Sequence, residues 1–144
     1  MATAFDVAAY ILGKKGSMTA MKLQKLLYYA QAWSLVWDEK PLFDNTIQAW
    51  ANGPVVPGVY YWHRGKYSVS SADFAGHPGH LEPEQIATID AVLDFYGDRP
   101  AQWLIDLTHA EDPWKLARKG LAPGERGSNE ISHASMADYY SGLG

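Results

Sequence analysis

Apolar residues crowd positions 21–37 of the chain on almost every side, with no Gly or Pro among them. Helical spacing puts Leu23, Leu26, Leu27, Ala30, Trp33 and Trp37 on one face. The opposite side carries Met21, Tyr28, Tyr29, Ala32, Leu35 and Val36, with Lys25 among them. Only Gln24 and Gln31 form a polar strip. A surface helix has one apolar stripe and one polar face. This pattern therefore predicts a central helix over about 19–37, wrapped by other elements or covered on its second side by a partner.

The flanking patterns predict shorter helices. Thr3-Ala-Phe-Asp6 resembles a capping box and opens a helix to about Leu12, stopped by Gly13-Lys-Lys-Gly16. Ser17 or Thr19 caps the central helix, and Asp38-Glu-Lys-Pro41 breaks the chain after it. Alternation at 47–50 predicts a short strand, and Asn52-Gly53-Pro54 a turn. Val59, Tyr60 and Trp62 suit a short helix after Pro57. Residues 67–80 read as a loop with at most one weak strand at 67–69. Pro83 opens a helix with Ile86, Ile89, Val92, Leu93 and Tyr96 in its stripe, ended by Gly97. The next helix, opened by Asp98-Arg-Pro100, turns Trp103, Leu104, Leu107 and Ala110 inward. Pro113 starts a short helix, 121–129 is a polar loop, and Ser135 to Asp138 cap a last turn with Met136, Tyr139 and Tyr140. The expected fold is mainly α: a compact single-domain helical bundle over 1–144, with a minor β element near 47–50.

Composition narrows the class. The chain has 144 residues, 47% of them hydrophobic, with six Trp and nine Tyr. Each large aromatic buries roughly 150–250 Å², so a packed core is within reach without cross-links. The absence of Cys excludes disulfides and thiolate metal sites and suits a reducing compartment. A net charge of −4 argues against general nucleic-acid binding. No apolar run approaches the roughly 20 residues a bilayer requires, and the N-terminus does not read as a signal peptide. A cytoplasmic protein is the expectation.

Catalytic chemistry finds little support. There is no nucleophile elbow, phosphate-cradling loop or dinucleotide fingerprint. Asp106 and His109 share a helix face, with Asp112 close by, but two ligands are a weak metal signal. The plainer reading is that His109 bonds a backbone group at its helix end. His77-Pro-Gly-His80 is a second weak pair. Asp90, Asp94 and Asp98 read as a solvated face, and Glu111-Asp112 as a helix cap, so no buried acid with a tuned pKa is expected. Neither a metal nor another cofactor is expected. Lys14, Lys15, Lys22 and Lys25 cluster, but the central helix lacks the exposed polar residues that read base edges. Lys25 is expected to lay its stem over aromatics and keep its head in water. Trp33, Trp37, Trp50, Trp103 and Trp114 read as core. Tyr28, Tyr29, Tyr60, Tyr61 and Trp62 are candidates for a groove that receives another protein.

Several blocks in order resemble a known family. They are Lys22-Leu-Gln-Lys-Leu-Leu-Tyr-Tyr-Ala-Gln31, Ala49-Trp50, Gly53-Pro-Val-Val-Pro57 with Tyr60, Trp103-Leu-Ile-Asp-Leu-Thr-His109, Pro113-Trp114, and Ile131 followed by Ala137-Asp-Tyr-Tyr140. The pattern is similar to the SocA-like, or Panacea, antitoxin domain, whose members are often phage-associated. The resemblance implies a binding module rather than an enzyme: an antitoxin of a two-gene system that neutralises a cognate protein toxin, encoded by a neighbouring gene, through direct contact. One member instead acts as an adaptor that delivers its toxin to a AAA+ protease, which is the alternative. A metal-dependent enzyme and a DNA-binding regulator are minor alternatives.

The resemblance also assigns scaffold positions: Leu23, Gln24, Leu26, Trp50, Gly53, Pro54, Pro57, His109, Pro113 and Trp114. Gly53 is expected to supply a positive φ or a close approach, and Pro54 and Pro57 to stiffen the lead into the next helix. Trp50 and Trp114 should plug the core, and His109 should tie its helix end to the loop before Pro113. Partner contacts are expected from Lys22, Lys25, Tyr28, Tyr29, Tyr60 and Trp62. The chain reads as the domain alone, without the extra N-terminal DNA-binding segment of some relatives. Specificity then falls to its surface and to loops 67–80 and 121–129.

Overall fold

The computed structural model describes residues 2–74 and 76–143. The first helix, α1 (Ala4–Lys15), starts at the expected capping box. Thr3 Oγ1 accepts from the Asp6 amide at 3.3 Å, and Asp6 Oδ2 accepts from the Thr3 amide at 2.9 Å. The helix runs through Gly13 and stops at Gly16, whose φ of 82° is open to glycine. Asp6 is buried and also accepts from the His77 amide at 2.8 Å, which ties the 67–80 segment back onto α1.

Helix α2 (Ala20–Trp37) is the spine of the fold. Thr19, not Ser17, caps it by accepting from the Lys22 amide at 3.2 Å. It packs against α1, against α4 (Pro83–Tyr96) and α5 (Ala101–Ala110), and against α7 (His133–Ser141). Both of its sides are buried, as its all-round apolar pattern predicts.

Two small antiparallel sheets complete the scaffold. Met18–Thr19 (β1) pairs with Ser68–Val69 (β4), where the weak strand was expected. Gln48–Trp50 (β2) pairs with Gly53–Val55 (β3) across a two-residue turn, so the expected 47–50 strand is one arm of a hairpin. The outer edge of β2 is closed by the chain beyond the 121–129 loop: the Ala49 amide donates to the Asn129 carbonyl, and the Ile131 amide to the Ile47 carbonyl. Helix α3 (Pro57–His63) follows with Pro57 at its start, and α6 (Asp112–Ala117) lies between α5 and α7.

Several expectations need correction. On α5 the buried residues are Leu104, Ile105 and Thr108, while Trp103 and Ala110 face outward. Thr108 carries this face to the hairpin, with its Oγ1 against Gly53. Trp37 is 47% exposed, so the five tryptophans do not share one core. It stacks on Trp33 at 4.9 Å. Helix α6 begins at Asp112, and α7 begins at His133, where Ser132 caps it by accepting from the Ser135 amide.

Candidate functional site

The polar strip of α2 is buried and serves as a set of clamps. Gln31 accepts from the Leu42 and Phe43 amides at 2.8 and 3.2 Å and donates to the Phe43 carbonyl at 2.8 Å. Two turns earlier, Gln24 accepts from the Val56 amide at 2.8 Å and contacts His63 Nε2 at 3.0 Å. Each amide side chain thus satisfies extended backbone that would otherwise be buried without a partner. This is the structural role of Gln24 in the scaffold, beside the core positions Leu23 and Leu26.

Lys25 extends the row and is the unusual member. Its residue is 1% exposed, so the expectation that its head stays in water is wrong. Nζ donates to the Pro54 carbonyl at 3.1 Å. Pro54 suits β3 here, because this face of the strand turns toward α2 rather than toward another strand. Gly53 holds φ at 115°, and a Cβ there would meet Lys25 Cε at 2.6 Å and Thr108 Oγ1 at 3.1 Å. Both expected reasons for the glycine, positive φ and close approach, therefore apply. Burial pushes the Lys25 pKa down to about 7. Burial and the nearby Lys25 also hold His63 and His109 below the usual imidazole range.

Behind the hairpin, Trp114 and Arg118 hold its backbone. Trp114 Nε1 donates to the Trp50 carbonyl at 2.8 Å, and Arg118 donates to the Ala49 carbonyl at 3.0 Å. His109 lies flat on Trp114 with ring centroids 4.0 Å apart, rather than bonding the end of its own helix, and its Nε2 is buried without a partner among the described residues. Pro113 is buried beneath this corner at the start of α6.

In front of the hairpin is an open groove of about 850 Å³. Its sides are α2, through Met21, Gln24 and Lys25; the hairpin, through Gln48, Trp50, Ala51, Asn52 and Val55; α3, through Tyr60, Tyr61, His63 and Arg64; and residues 126–128. Trp50 meets Tyr60 edge-on at 4.8 Å, and the Arg64 guanidinium lies 5.8 Å from the Tyr61 ring. Tyr61 is 65% exposed. Among the described residues, Lys25, His63, Arg64 and Arg126 line the groove and no carboxylate does.

Of the six expected partner contacts, the structure brings Lys25 and Tyr60 together in this groove. Lys22 is half-buried near the start of α2 and lines no part of it. Trp62 is exposed but outside the groove, meeting Phe5 edge-on at 5.9 Å. Tyr28 and Tyr29 are buried and line no part of the groove, so of core and partner contact, the two expectations for this side of the helix, core applies to them. Met21, Tyr61, Arg64 and Arg126 are groove residues that were not among the six.

Tyr28 and Tyr29 belong instead to an internal network around Glu111. Glu111 Oε1 accepts from Tyr29 and Tyr140 hydroxyls, each at 2.7 Å, and the Tyr28 and Tyr140 hydroxyls are 2.9 Å apart. Tyr29 stacks on Tyr96 at 4.1 Å. Burial raises all three phenols well above their ordinary pKa, so they remain protonated donors. Burial also raises the Glu111 carboxyl, against the opposing effect of the two hydroxyl donors. Glu111 is thus the buried acid that was not expected, and its side chain does not cap α6.

The metal candidates do not assemble a ligand set. Asp106 accepts from Gln102 at 2.8 Å while His109 faces Trp114. His77 and His80 come within 5.2 Å, with His80 Nδ1 at 3.5 Å from Asp6. No group of three or more candidate ligands occurs among the described residues. No helix among them is long and apolar enough to cross a membrane.

Residues 23–115 match the family described as antitoxin SocA-like, Panacea domain. No curated protein and no solved structure matches the chain. The matched span opens inside α2, takes in the hairpin and α3, and closes at the Trp114 corner, so it contains the clamps, Lys25 and most of the groove wall. With more than half its length in that match, the chain belongs to the SocA-like antitoxin family, Panacea domain.

Proposed function

We propose that this antitoxin neutralises a cognate protein toxin by direct, stoichiometric contact, and that the toxin docks in the groove between α2, the β2–β3 hairpin and α3. The observation that carries this reading is the groove itself: exposed Tyr61 and Met21 stand beside half-buried Trp50 and Tyr60 over a scaffold held by buried hydrogen bonds. Tyr and Trp are favoured anchors because each pairs an apolar body with a polar tip. A rigid floor limits the entropy lost on docking.

The test is coexpression with the product of the adjacent reading frame. The wild-type protein should restore growth and co-purify with that product at fixed stoichiometry, with the toxin still present in the cell. Tyr61→Asp should weaken the complex without lowering the melting temperature, since Tyr61 is mostly exposed. Failure of the wild-type protein to form a complex would overturn direct binding. Rescue accompanied by disappearance of the toxin would replace masking with delivery to a protease.

A further inference from the structure

We infer that the groove takes an acidic segment of the partner protein, whose carboxylates lie between Arg64 and Arg126 over the buried amine of Lys25 in the groove floor. The inference rests on the direct-binding reading and adds the chemistry of what enters.

Charge distribution is the first observation. The chain carries a net charge of −4, yet among the described residues its groove is lined by three Lys or Arg side chains and no Asp or Glu. Elsewhere the lysines Lys14, Lys15, Lys40, Lys66 and Lys115 each lie within ion-pair distance of a carboxylate. Lys25, Arg64 and Arg126 have no such partner among the described residues, as is also true of Lys22, Arg99, Arg118 and Lys119; what sets the groove apart is that three cations line one concave surface with no carboxylate among them. Complementary potentials across an interface steer encounter and reject wrong partners.

Lys25 is the second observation. A protonated amine has three donors, and this one has a single acceptor, the Pro54 carbonyl. Burying an under-bonded ammonium is unfavourable unless a counter-charge arrives. Burial holds the Lys25 pKa down to about 7 in the free protein. A carboxylate over the groove floor supplies the opposite charge. The aromatic and aliphatic walls, Trp50, Tyr60, Val55 and Met21, suit the apolar side chains of a peptide. The net negative charge of the chain disfavours a nucleic-acid backbone as the occupant.

The experiment measures binding of the full-length protein to the purified product of the adjacent reading frame, at low and high salt. Arg64 and Arg126 are exposed, so Arg64→Glu with Arg126→Glu should leave the fold intact and weaken binding by about tenfold or more, with a flatter salt dependence. A control with the same charge change outside the groove, Arg99→Glu with Lys119→Glu, should bind nearly as the wild type does. Lys25→Met should also lose about tenfold in affinity, measured where the variant is fully folded because the Pro54 carbonyl loses its donor. Hydrogen exchange on the partner should show protection over a segment carrying Asp or Glu. A complex that forms equally well with the groove and control variants overturns this inference alone. No complex with the wild-type protein overturns the direct-binding reading and this inference with it. Nucleic acid that co-purifies with the wild type and is lost from the groove variant overturns the choice of an acidic protein segment.

Discussion

A Cβ on Gly53 would lie 2.6 Å from Cε of Lys25, so the hairpin turn and the buried lysine fit only because residue 53 has no side chain. The glycine closes over the lysine, and the lysine donates to the next residue's carbonyl. This local fit joins the Gly-Pro block to the central helix.

Gly53→Ala should destabilise the fold by about 2 kcal/mol or more, from both the φ of 115° and the contact with Lys25. Combining it with Lys25→Ala should recover only the contact part. A double-mutant cycle by urea unfolding should therefore give a coupling between positions 25 and 53, and simple additivity would contradict the fit.

Stability should rise with pH above neutrality because of Lys25. The folded amine titrates at about 7, and an unfolded lysine near 10.4. Between those values the unfolded chain holds the proton and the folded chain has released it, so raising pH favours the fold by up to about 1.4 kcal/mol per pH unit. His63 and His109, both depressed, have completed their contribution above the ordinary imidazole range. The raised tyrosines act only near pH 10 and above. Urea unfolding from pH 7 to 9.5 should show the rise in wild type and the loss of most of it in Lys25→Met, with half-buried Lys22, also held below its ordinary pKa by burial, keeping a remainder. A flat wild-type profile would contradict the burial of this amine.

Glu111 carries the opposite sign. Its folded pKa is raised, so stability is greatest below the ordinary carboxyl range and falls as pH climbs through the raised value. Glu111→Gln keeps an oxygen acceptor for Tyr29 and Tyr140 and should remove that fall. Glu111→Ala leaves two buried hydroxyls without their acceptor and should cost about 2–4 kcal/mol. Thermal melts of the two variants at neutral pH should rank Gln well above Ala.

Gln31→Leu should be strongly destabilising despite its apolar replacement. It strands the Leu42 and Phe43 amides and the Phe43 carbonyl, at about 3 kcal/mol or more in total. A melting temperature near wild type would show that water or a shifted loop replaces the clamp.

The central helix was legible in sequence because both of its sides are apolar, and burial on both sides follows directly from that pattern. Gln24 and Gln31 were visible as a strip, but their meaning was not. Their partners lie 32 and 11–12 residues away, and helical spacing says nothing about contacts at that range. Lys25 was legible as a cation among apolar neighbours, but with its head expected in water. Its burial depends on the Pro54 carbonyl and on a turn that only the folded hairpin creates. Glu111 looked like a cap because it precedes Asp112-Pro113. Its actual role comes from Tyr29 and Tyr140, which converge from both ends of the chain. The groove was partly legible: Tyr60 and Lys25 line it, but Tyr28 and Tyr29, the neighbours of Lys25 on the helix, turn inward.

Hydrogen exchange on the antitoxin, with and without its toxin, tests the central claim most directly. Toxin docked in the groove should slow exchange at residues 48–55 and 60–64 while leaving the exposed face of α4 and α5 unchanged. Protection confined to α4 and α5, with the hairpin and α3 exchanging as in the free protein, would contradict the groove as the docking site.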